Sequence, residues 1–340
     1  MKILHAIFST DFAGSENNCA QLAMLQYQAG HEVRVVIKGR NPKQVERFRQ
    51  LVAPDQLIVI PAAWPSLLDG ILLKRIVKTF KPDVIHTHLG RATKRFGKVA
   101  KALGIPHIAS LHLQYEPKVY GACNGLVCVA GWQRASLSSY KGKVAVIRNW
   151  VPRRMGNVKA PVKENPAITR LGSVGRLDNQ KGYDILLQAF RQAFPKGDET
   201  VELVIIGEGP NRAALEAIAA GDARIRLPGY SANVPNELAG FDAFISSSRF
   251  EGLALVVLEA IGAKLPMLLT DVAGNRELAD LQPQGVVSLV PPEDITAMAE
   301  ALKNLTAKPL APVNYDVSEL DESTVAVRMV AFYQQVIGTA

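Results

Sequence analysis

The chain has 340 residues, of which 48% are hydrophobic, and its formal net charge is +8. This length predicts two domains, and the hydrophobic content is ample for a core in each. No apolar run reaches the roughly 18 residues of a membrane-spanning helix, and the amino terminus reads as a first strand rather than a signal peptide. The three cysteines are odd in number and lack metal-ligand spacing, which indicates reduced thiols in a cytoplasmic protein.

The charge is distributed unevenly along the chain. Residues 1–150 contain 21 Lys and Arg against 8 Asp and Glu, a balance of +13, whereas the remainder contains 18 against 23, a balance of −5. A basic half attracts phosphate-bearing partners such as acidic lipid, lipid-linked phosphate or nucleic acid. A solvated basic surface without any partner explains the same charge equally well.

Short apolar strands alternate with helices through the first 150 residues. Strands are predicted at residues 3–8, 33–37, 57–60, 84–87, 105–111 and 126–129. Helices are predicted from the turn at residues 9–15 to about residue 29 and at residues 67–80, 91–103 and 131–140. Such alternation predicts a parallel sheet covered by helices on both faces. Ligands bind beyond the carboxyl ends of such strands, where Gly14, Ser15 and His112 lie.

A second alternating series follows a proline-containing linker at residues 151–166. Strands are predicted near residues 168–174, 201–206, 242–246, 266–269 and 285–289. Helices are predicted near residues 182–194, 210–220, 254–262 and 292–304, with a last amphipathic helix from about 317 to 337. The sequence therefore predicts a second parallel sheet of the same kind.

Two glutamates bracket an apolar segment in the second half. Glu251 follows a predicted strand and sits on the loop before a helix, whereas Glu259 lies within that helix. A glutamate in so apolar a helix needs a partner if it is buried. The alternative interpretation is one surface glutamate and one capping glutamate.

The segment at residues 175–182, which reads Gly-Arg-Leu-Asp-Asn-Gln-Lys-Gly, follows the first strand of the second half. It holds Arg176 and Lys181 near the beginning of the next helix, an arrangement typical of a pyrophosphate site. Two surface cations are the alternative. Gly207, in a Gly-Glu-Gly strand end, would let the backbone approach a ligand, although such a short motif is weak evidence.

Histidines also occur at predicted strand ends. His86 and His88 alternate on one strand and therefore share a face, but no carboxylate or cysteine lies nearby in sequence to complete a metal site. His112 is placed for a substrate contact, with a hydrogen-bonded core histidine as the alternative. No Asp-x-Asp occurs in the chain, which favours metal-independent chemistry in which Arg176 and Lys181 compensate negative charge.

Taken together, these elements resemble the GT-B glycosyltransferases of family 4, which are retaining and use nucleotide-sugar donors. The resemblance covers nearly the whole chain and rests mainly on the Glu251-x7-Glu259 block and the Gly-Arg-Leu-x3-Lys-Gly block. It implies an α/β fold of two Rossmann-like, doubly wound domains facing across a cleft. Residues 1–150 would bind the acceptor, residues 167–316 would bind the donor, and a helix at about 317–340 would cross back to the first domain.

The resemblance also implies roles for individual residues. Glu251 would contact hydroxyls of the donor sugar, Glu259 the ribose, Arg176 and Lys181 the diphosphate, and His112 would lie beside the reacting carbon. The catalytic candidates are His112, Glu251, Arg176 and Lys181. The donor-binding candidates are Gly14, Ser15, Gly175, Arg176, Lys181, Gly207, Tyr230, Glu251, Gly252, Leu255, Val256 and Glu259. The amino-terminal loop, usually Gly-Gly-x-Glu in the family, reads Ala-Gly-Ser-Glu at residues 13–16 and so lacks the first glycine.

The expected activity is transfer of a sugar from a UDP- or GDP-sugar to a hydroxyl of a glycan or lipid-linked acceptor, in cell-surface polysaccharide or lipopolysaccharide synthesis. We expect no metal and no cofactor. The expected location is the cytoplasm, with peripheral contact to the inner face of an anionic membrane through the basic half. A basic stripe on one predicted helix is suited to acidic headgroups and comprises Arg91, Lys94, Arg95, Lys98 and Lys101. A solvated stripe without a partner explains the same residues equally well.

Three other functions are compatible with the same motifs. A catalytically silent nucleotide-sugar-binding subunit would bind UDP without transfer, an epimerase would need no acceptor, and a phosphorylase would need a pyridoxal cofactor. Nucleic acid is not an expected partner, because no aromatic residue beyond Phe96 interleaves the basic stripe.

Overall fold

The computed structural model describes residues 1–63, 68–153, 158, 165 and 167–338. The chain divides into two compact units. Unit 1 comprises Met1–Asn149 and Ser323–Ala340, and unit 2 comprises Trp150–Glu322. The predicted linker at residues 151–166 lies for the most part outside the described residues.

Unit 1 is built on a parallel sheet with helices between its strands. Its elements are β1 (Lys2–Ile7), α1 (Gly14–Gln28), β2 (Glu32–Gly39), α2 (Pro42–Leu51), β3 (Leu57–Pro61), α3 (Asp69–Phe80), β4 (Val84–His88), α4 (Leu89–Leu103), β5 (His107–Leu111), α5 (Pro117–Tyr120), β6 (Gly125–Cys128) and β7 (Lys143–Val146). The strand order is β3-β2-β1-β4-β5-β6-β7, and neighbouring strands pair in parallel.

Unit 2 repeats this architecture. Its elements are β8 (Thr169–Val174), α6 (Tyr183–Ala193), β9 (Val201–Ile206), α7 (Arg212–Ala219), β10 (Ile225–Gly229), α8 (Val234–Ala239), β11 (Ala243–Ser246), α9 (Leu255–Gly262), β12 (Met267–Thr270), α10 (Ala273–Asp280), β13 (Val287–Val290) and α11 (Ile295–Thr306). The parallel strand order is β10-β9-β8-β11-β12-β13.

The strand order places the ligand-binding edge of each unit. In both sheets the order reverses beside the first strand, between β1 and β4 in unit 1 and between β8 and β11 in unit 2. Loops leave the sheet in opposite directions at such a switch point and form a crevice at the carboxyl ends of the strands. Each unit is therefore a Rossmann-like, doubly wound domain, as the sequence predicts.

The last helix, α12 (Glu322–Ile337), belongs to unit 1 from its second residue onward, although it follows unit 2 in the chain. Its apolar face packs where Gly125 begins β6: a Cβ at Gly125 would lie 2.9 Å from Cγ2 of Val336 and 3.0 Å from Cζ of Phe332. The missing side chain at Gly125 therefore makes room for the helix.

Several predicted elements differ from the structure. The predicted helix at residues 131–140 is a 3₁₀ helix at Gly131–Leu137. Its first turn is held by Gln133, whose amide nitrogen donates to the carbonyl oxygens of Leu111 and Leu113 at 2.7 Å each. The last helix begins at Glu322 rather than near residue 317, because a 3₁₀ turn precedes it. The short elements α2, α5, β7, β10, α8 and α10 were not predicted.

Across the described ranges, no helix has both the length and the apolar character needed to cross a bilayer.

Candidate functional site

The loops that follow β8 and β11 are tied together at the switch point of unit 2. The backbone N–H of Arg249 donates to the carbonyl oxygen of Gln180 at 2.8 Å, and the Gln180 side chain donates to the carbonyl of Phe250 at 2.9 Å. The hydroxyl of Ser247 donates to the carbonyl of Lys181 at 2.8 Å. These bonds bring the two charged motifs of the second half onto one surface.

Two glycines permit this close approach. Gly182 has a φ of +61°, and a Cβ there would overlap the carbonyl oxygen of Ser247. A Cβ at Gly207 would overlap the carbonyl oxygen of Gly175. Side chains at either position would push the strand-end loops apart, because backbone atoms cannot move aside as a flexible side chain can.

Lys181 and Glu251 form an ion pair at this surface. The ammonium of Lys181 lies 2.7 Å from Oε1 of Glu251, and the hydroxyl of Ser248 donates to the same oxygen at 2.6 Å. Glu251 is only 5% exposed, so its charge needs these partners. The pair holds a cation and an acid side by side. A ligand that enters the site can bind to the ammonium of Lys181 or to the carboxylate of Glu251 in place of part of their mutual interaction.

Arg176 is placed differently from Lys181. Its side chain is 66% exposed, and its Nε lies 3.7 Å from a carboxylate oxygen of Asp178. Screening by water makes so exposed a pair weak. The guanidinium therefore remains at the surface of the loop that also carries Lys181. Gly175 directly precedes Arg176, and a Cβ at Gly175 would lie only 2.7 Å from the hydroxyl of Tyr183.

The acidic motif lies where the sequence predicts it, with Glu251 on the loop before α9 and Glu259 inside that helix. Glu259 is 8% exposed. The helix begins at Leu255, and the residue before it, Ala254, has no polar side chain to cap the first-turn N–H groups. Those donors and the helix dipole suit a negative group.

The remaining donor-binding candidates of unit 2 lie on the same edge of the sheet. Gly207 directly follows β9 and is buried, Gly252 precedes α9 and is buried, and Val256 in the first turn of α9 is half-buried. Tyr230 follows β10 and is 65% exposed. An exposed tyrosine ring beside a ligand-binding edge is available for stacking.

Sequence reasoning gave no role to Arg249, which the structure places at the base of the site. Its guanidinium donates to both carboxylate oxygens of Asp184, at 2.9 and 2.8 Å, and also pairs with Glu293. These hydrogen bonds lower the pKa of Asp184. Arg249 thus anchors the loop after β11 to α6, and its position directly before the Phe-Glu-Gly motif was the available signal.

In unit 1 the predicted loop at the start of α1 is closed by its own glutamate. The backbone N–H of Ala13 donates to Oε2 of Glu16 at 2.9 Å, and the Ser15 hydroxyl donates to the same oxygen at 3.1 Å. Gly14 is exposed at the first position of the helix. The cap therefore forms without the missing first glycine.

His112 ends a chain of buried hydrogen bonds in unit 1. Nε2 of His5 donates to the amide oxygen of Gln26 at 2.7 Å, and Nδ1 of His5 lies 3.2 Å from Nε2 of His88. Nδ1 of His88 lies 3.2 Å from Nε2 of His112. The amide nitrogen of Gln26 donates to the hydroxyl of Tyr333, on α12, at 3.1 Å.

A side branch includes the fourth histidine of the cluster, His86. The Tyr333 hydroxyl lies 2.6 Å from Nδ1 of His86, whose Nε2 lies 2.8 Å from the Ser110 hydroxyl. The rings of His86 and His88 stack with centroids 4.5 Å apart, which confirms that they share a face. Ligand atoms of His5, His86 and His88 come within 4.8 Å of one another, as in a metal site, but each ring nitrogen already has a hydrogen-bond partner.

The histidines of this cluster are neutral at pH 7. Burial lowers the pKa of His5 and of His112 to about 4. Burial, reinforced by the neighbouring histidines, lowers the pKa of His86 and of His88 well below the usual value. A neutral imidazole has one N–H and one bare nitrogen. The tautomer of each ring therefore determines which nitrogen of the next ring in the chain carries the proton.

The chain of bonds therefore assigns the tautomer of His112. Because His5 donates through Nε2 to Gln26, its Nδ1 is bare and accepts from Nε2 of His88. The Nδ1 of His88 is then bare and accepts from Nε2 of His112. His112 is left with a bare Nδ1, a hydrogen-bond acceptor at the carboxyl end of β5.

Replacing Gln26 with methionine is expected to remove the preference of His112 for a single tautomer. Methionine has similar length but offers no acceptor to His5, so His112 should change from a single Nε2–H tautomer to a mixture. Two-bond ¹H–¹⁵N correlation spectra of ¹⁵N-histidine-labelled protein distinguish the two. His107→Gln is the matched control, since His107 is equally buried but bonds to Thr87. An unchanged His112 in Gln26→Met, or the same change in both variants, would contradict the assignment.

Comparisons with known proteins agree with this geometry. Residues 12–154 match the family model described as Glycosyltransferase Family 4, and residues 168–308 match the model described as Glycosyl transferases group 1. Together with the two Rossmann-like units, these matches define a glycosyltransferase of the GT-B fold. The chain belongs to glycosyltransferase family 4.

Individual relatives are distant. The chain is 25% identical to the GDP-mannose-dependent alpha-mannosyltransferase of Mycobacterium tuberculosis, over 78% of this chain and 77% of that one. It is 26% identical to the UDP-Gal:alpha-D-GlcNAc-diphosphoundecaprenol alpha-1,3-galactosyltransferase of Escherichia coli, over 69% of each chain. The crystal structure of Anabaena Alr3699/HepE in complex with UDP and glucose has the same fold, with a TM-score of 0.79 and 17% identity over 98% of this chain and 100% of that one.

Proposed function

We propose that this glycosyltransferase is a retaining, metal-independent enzyme that transfers a sugar from a UDP- or GDP-sugar to a hydroxyl of a cell-surface glycan or lipid-linked acceptor. The observation that carries the donor assignment is the Lys181–Glu251 pair, 2.7 Å apart, at the switch point of unit 2. A sugar nucleotide presents both negative phosphates and neutral hydroxyls, and the pair offers a cation for the first and an acceptor for the second.

The leaving diphosphate gains negative charge as its bond to the anomeric carbon breaks. Lys181, Arg176 and the uncapped start of α9 supply positive charge and N–H donors for it. Fixed donors of this kind stabilise the transition state more than the ground state. These groups take the place that a divalent cation fills in other nucleotide-dependent transferases.

The two acids would bind hydroxyls rather than phosphates. We propose that Glu251, oriented by Ser248, accepts from hydroxyls of the sugar, and that Glu259 accepts from the ribose. In unit 1, we propose that the bare Nδ1 of His112 accepts from a hydroxyl of the reacting sugar and positions it. The acceptor hydroxyl would attack from the side of the leaving group and thereby retain the anomeric configuration.

The acceptor would bind to unit 1. Two relatives are named for GDP-mannose and for a diphosphoundecaprenol acceptor, which supports a sugar-nucleotide donor and a cell-surface acceptor here. The basic surface of unit 1 supports a peripheral location on the cytoplasmic face of an anionic membrane.

Binding and hydrolysis assays test this proposal. A thermal-shift screen of UDP, GDP and ADP with their sugars is expected to show stabilisation by one uridine or guanosine pair, and slow hydrolysis of that donor should persist in EDTA. Binding without turnover toward any acceptor would indicate a silent subunit. Activity abolished by EDTA and restored by magnesium would contradict the metal-independent mechanism.

A further inference from the structure

A strongly basic pocket opens at the carboxyl edge of the sheet in unit 1. It has a volume of about 350 Å³ and is lined by cations from β2, the residue after it and α4, with one acid. The cations are Lys38, Arg40, Arg91, Lys94 and Arg95, and the acid is Asp69. The formal charge of the lining is therefore +4. Cations converge in this way where they are matched by a multivalent anion, because their mutual repulsion otherwise opposes folding.

The one acid of the pocket stabilises the arrangement of the lining cations and does not compete with a ligand for the site. Asp69 has a side chain that is 1% exposed and accepts from the ammonium of Lys38 at 2.9 and 3.1 Å. Its carboxylate also lies 3.6 Å from Nε of Arg95. Asp69 thus pairs with two of the cations, Lys38 and Arg95, while Arg91 and Lys94 are exposed on the first turns of α4.

The start of α4 adds donors to this positive surface. A second cavity, which shares Arg91 and Lys94 with the first, is lined by Leu89 and Gly90, the first residues of the helix, and by one acid, Glu116. The first turn carries no acidic residue, and Leu89 adopts a φ of +63° that L-residues other than Asn and Asp rarely take. The cations are the main source of positive potential at this surface, and the N–H groups at the start of α4 add to it.

We propose that this basic pocket binds the phosphate or diphosphate group of the acceptor. The proposal rests on the function proposed above, since it adds the chemical class of the acceptor. Arginine forks bind phosphate oxygens in pairs, and a pocket of this size accommodates a diphosphate with part of the group attached to it. The phosphate would come either from a lipid diphosphate or from a phosphorylated sugar of the growing glycan.

The test compares two double variants of α4 that remove the same charge. Arg91→Ala/Lys94→Ala removes cations of the pocket, whereas Lys98→Ala/Lys101→Ala removes exposed cations about 10 Å further along the helix, outside the lining. Binding of inorganic pyrophosphate is measured by calorimetry at 0.15 M salt with an excess of the nucleotide that the protein binds, UDP or GDP, so that the proposed donor site is occupied. The first variant is expected to weaken pyrophosphate binding at least about tenfold, and the second less than about twofold, since screening limits distant charges.

Equal weakening in both variants, or no weakening in the first, would overturn the proposal. Binding of that nucleotide, measured separately in each variant, should be unchanged. If the unmodified protein bound neither UDP nor GDP, the donor proposal would be contradicted, and the comparison of the two variants would still test the pocket. Farnesyl diphosphate and mannose 6-phosphate identify the source of the phosphate. Tighter binding of the first than of pyrophosphate indicates a lipid diphosphate, and tighter binding of the second indicates a phosphorylated sugar.

Discussion

Replacing Lys181 with alanine is expected to lower turnover by about 100-fold or more. Removing one preorganised donor to a developing negative charge typically costs about 3–4 kcal/mol of transition-state stabilisation. Arg176→Ala should act in the same direction, although its exposed guanidinium predicts that more of its effect appears in donor affinity. Initial rates over a range of donor concentrations separate kcat from KM in each variant.

Lys181→Ala is also expected to lower the stability of unit 2, and this effect has to be distinguished from the effect on the chemical step. The substitution leaves the buried Glu251 carboxylate without its cation, which by itself destabilises unit 2 by several kcal/mol. Adding Glu251→Gln to Lys181→Ala should restore the melting temperature without restoring turnover. Lys303→Ala, which removes an exposed lysine from α11, controls for the loss of one charge. Turnover in Lys181→Ala close to that of Lys303→Ala would remove Lys181 from the diphosphate site.

Lowering the pH from 6.5 to 5 is expected to destabilise unit 1 by at least about 3 kcal/mol. Burial lowers the pKa of His5 and of His107 to about 4, whereas both titrate near 6.5 in the unfolded chain. Below pH 6.5 the unfolded state therefore binds protons that the native state does not, and stability falls until about pH 4. Each of the two contributes roughly 1.5 kcal/mol over this range, and His86, His88 and His112 add to the same trend.

The measurement has an internal control, because the six histidines of the chain all precede residue 150 and unit 2 contains none. Hydrogen exchange, corrected for intrinsic rates, gives opening free energies for amides of β1 and β4 in unit 1 and of β8 and β9 in unit 2. The opening free energies of the β1 and β4 amides should fall steeply between pH 6.5 and 5, and those of the β8 and β9 amides should change little. Equal pH dependence in both units would show that the histidines are not protonated on unfolding as proposed.

The alternation of strands and helices was predictable because each buried parallel strand is a short, continuous apolar run. The sequence shows such runs at 3–8 and 201–206, and both are strands of the structure. Elements without this signal were missed. The strand β7 (Lys143–Val146) has only four half-buried residues, and the residues of the 3₁₀ helix at 131–137 take their conformation from Gln133 bonding to the end of β5.

The core of the proposed donor site was predictable for a topological reason. Lys181 and Glu251 are 70 residues apart, but they follow β8 and β11, which are neighbours in the sheet. The histidine chain was not predictable in this way. It depends on a bond between Gln26 and Tyr333, 307 residues apart, and no local pattern indicates that a helix at the far end of the chain completes a cluster near its beginning.

The return of α12 determines how this enzyme can be dissected. A fragment ending at residue 149 would lack Tyr333, leaving Gln26 and His86 without a shared partner, and would uncover Gly125 where Phe332 and Val336 pack. Isolation of unit 1 therefore requires a permuted gene that joins residues 323–340 to residues 1–149. By the same reasoning, deletion of α12 would remove the Tyr333 contacts of Gln26 and His86, whereas the Lys181–Glu251 pair lies wholly in unit 2.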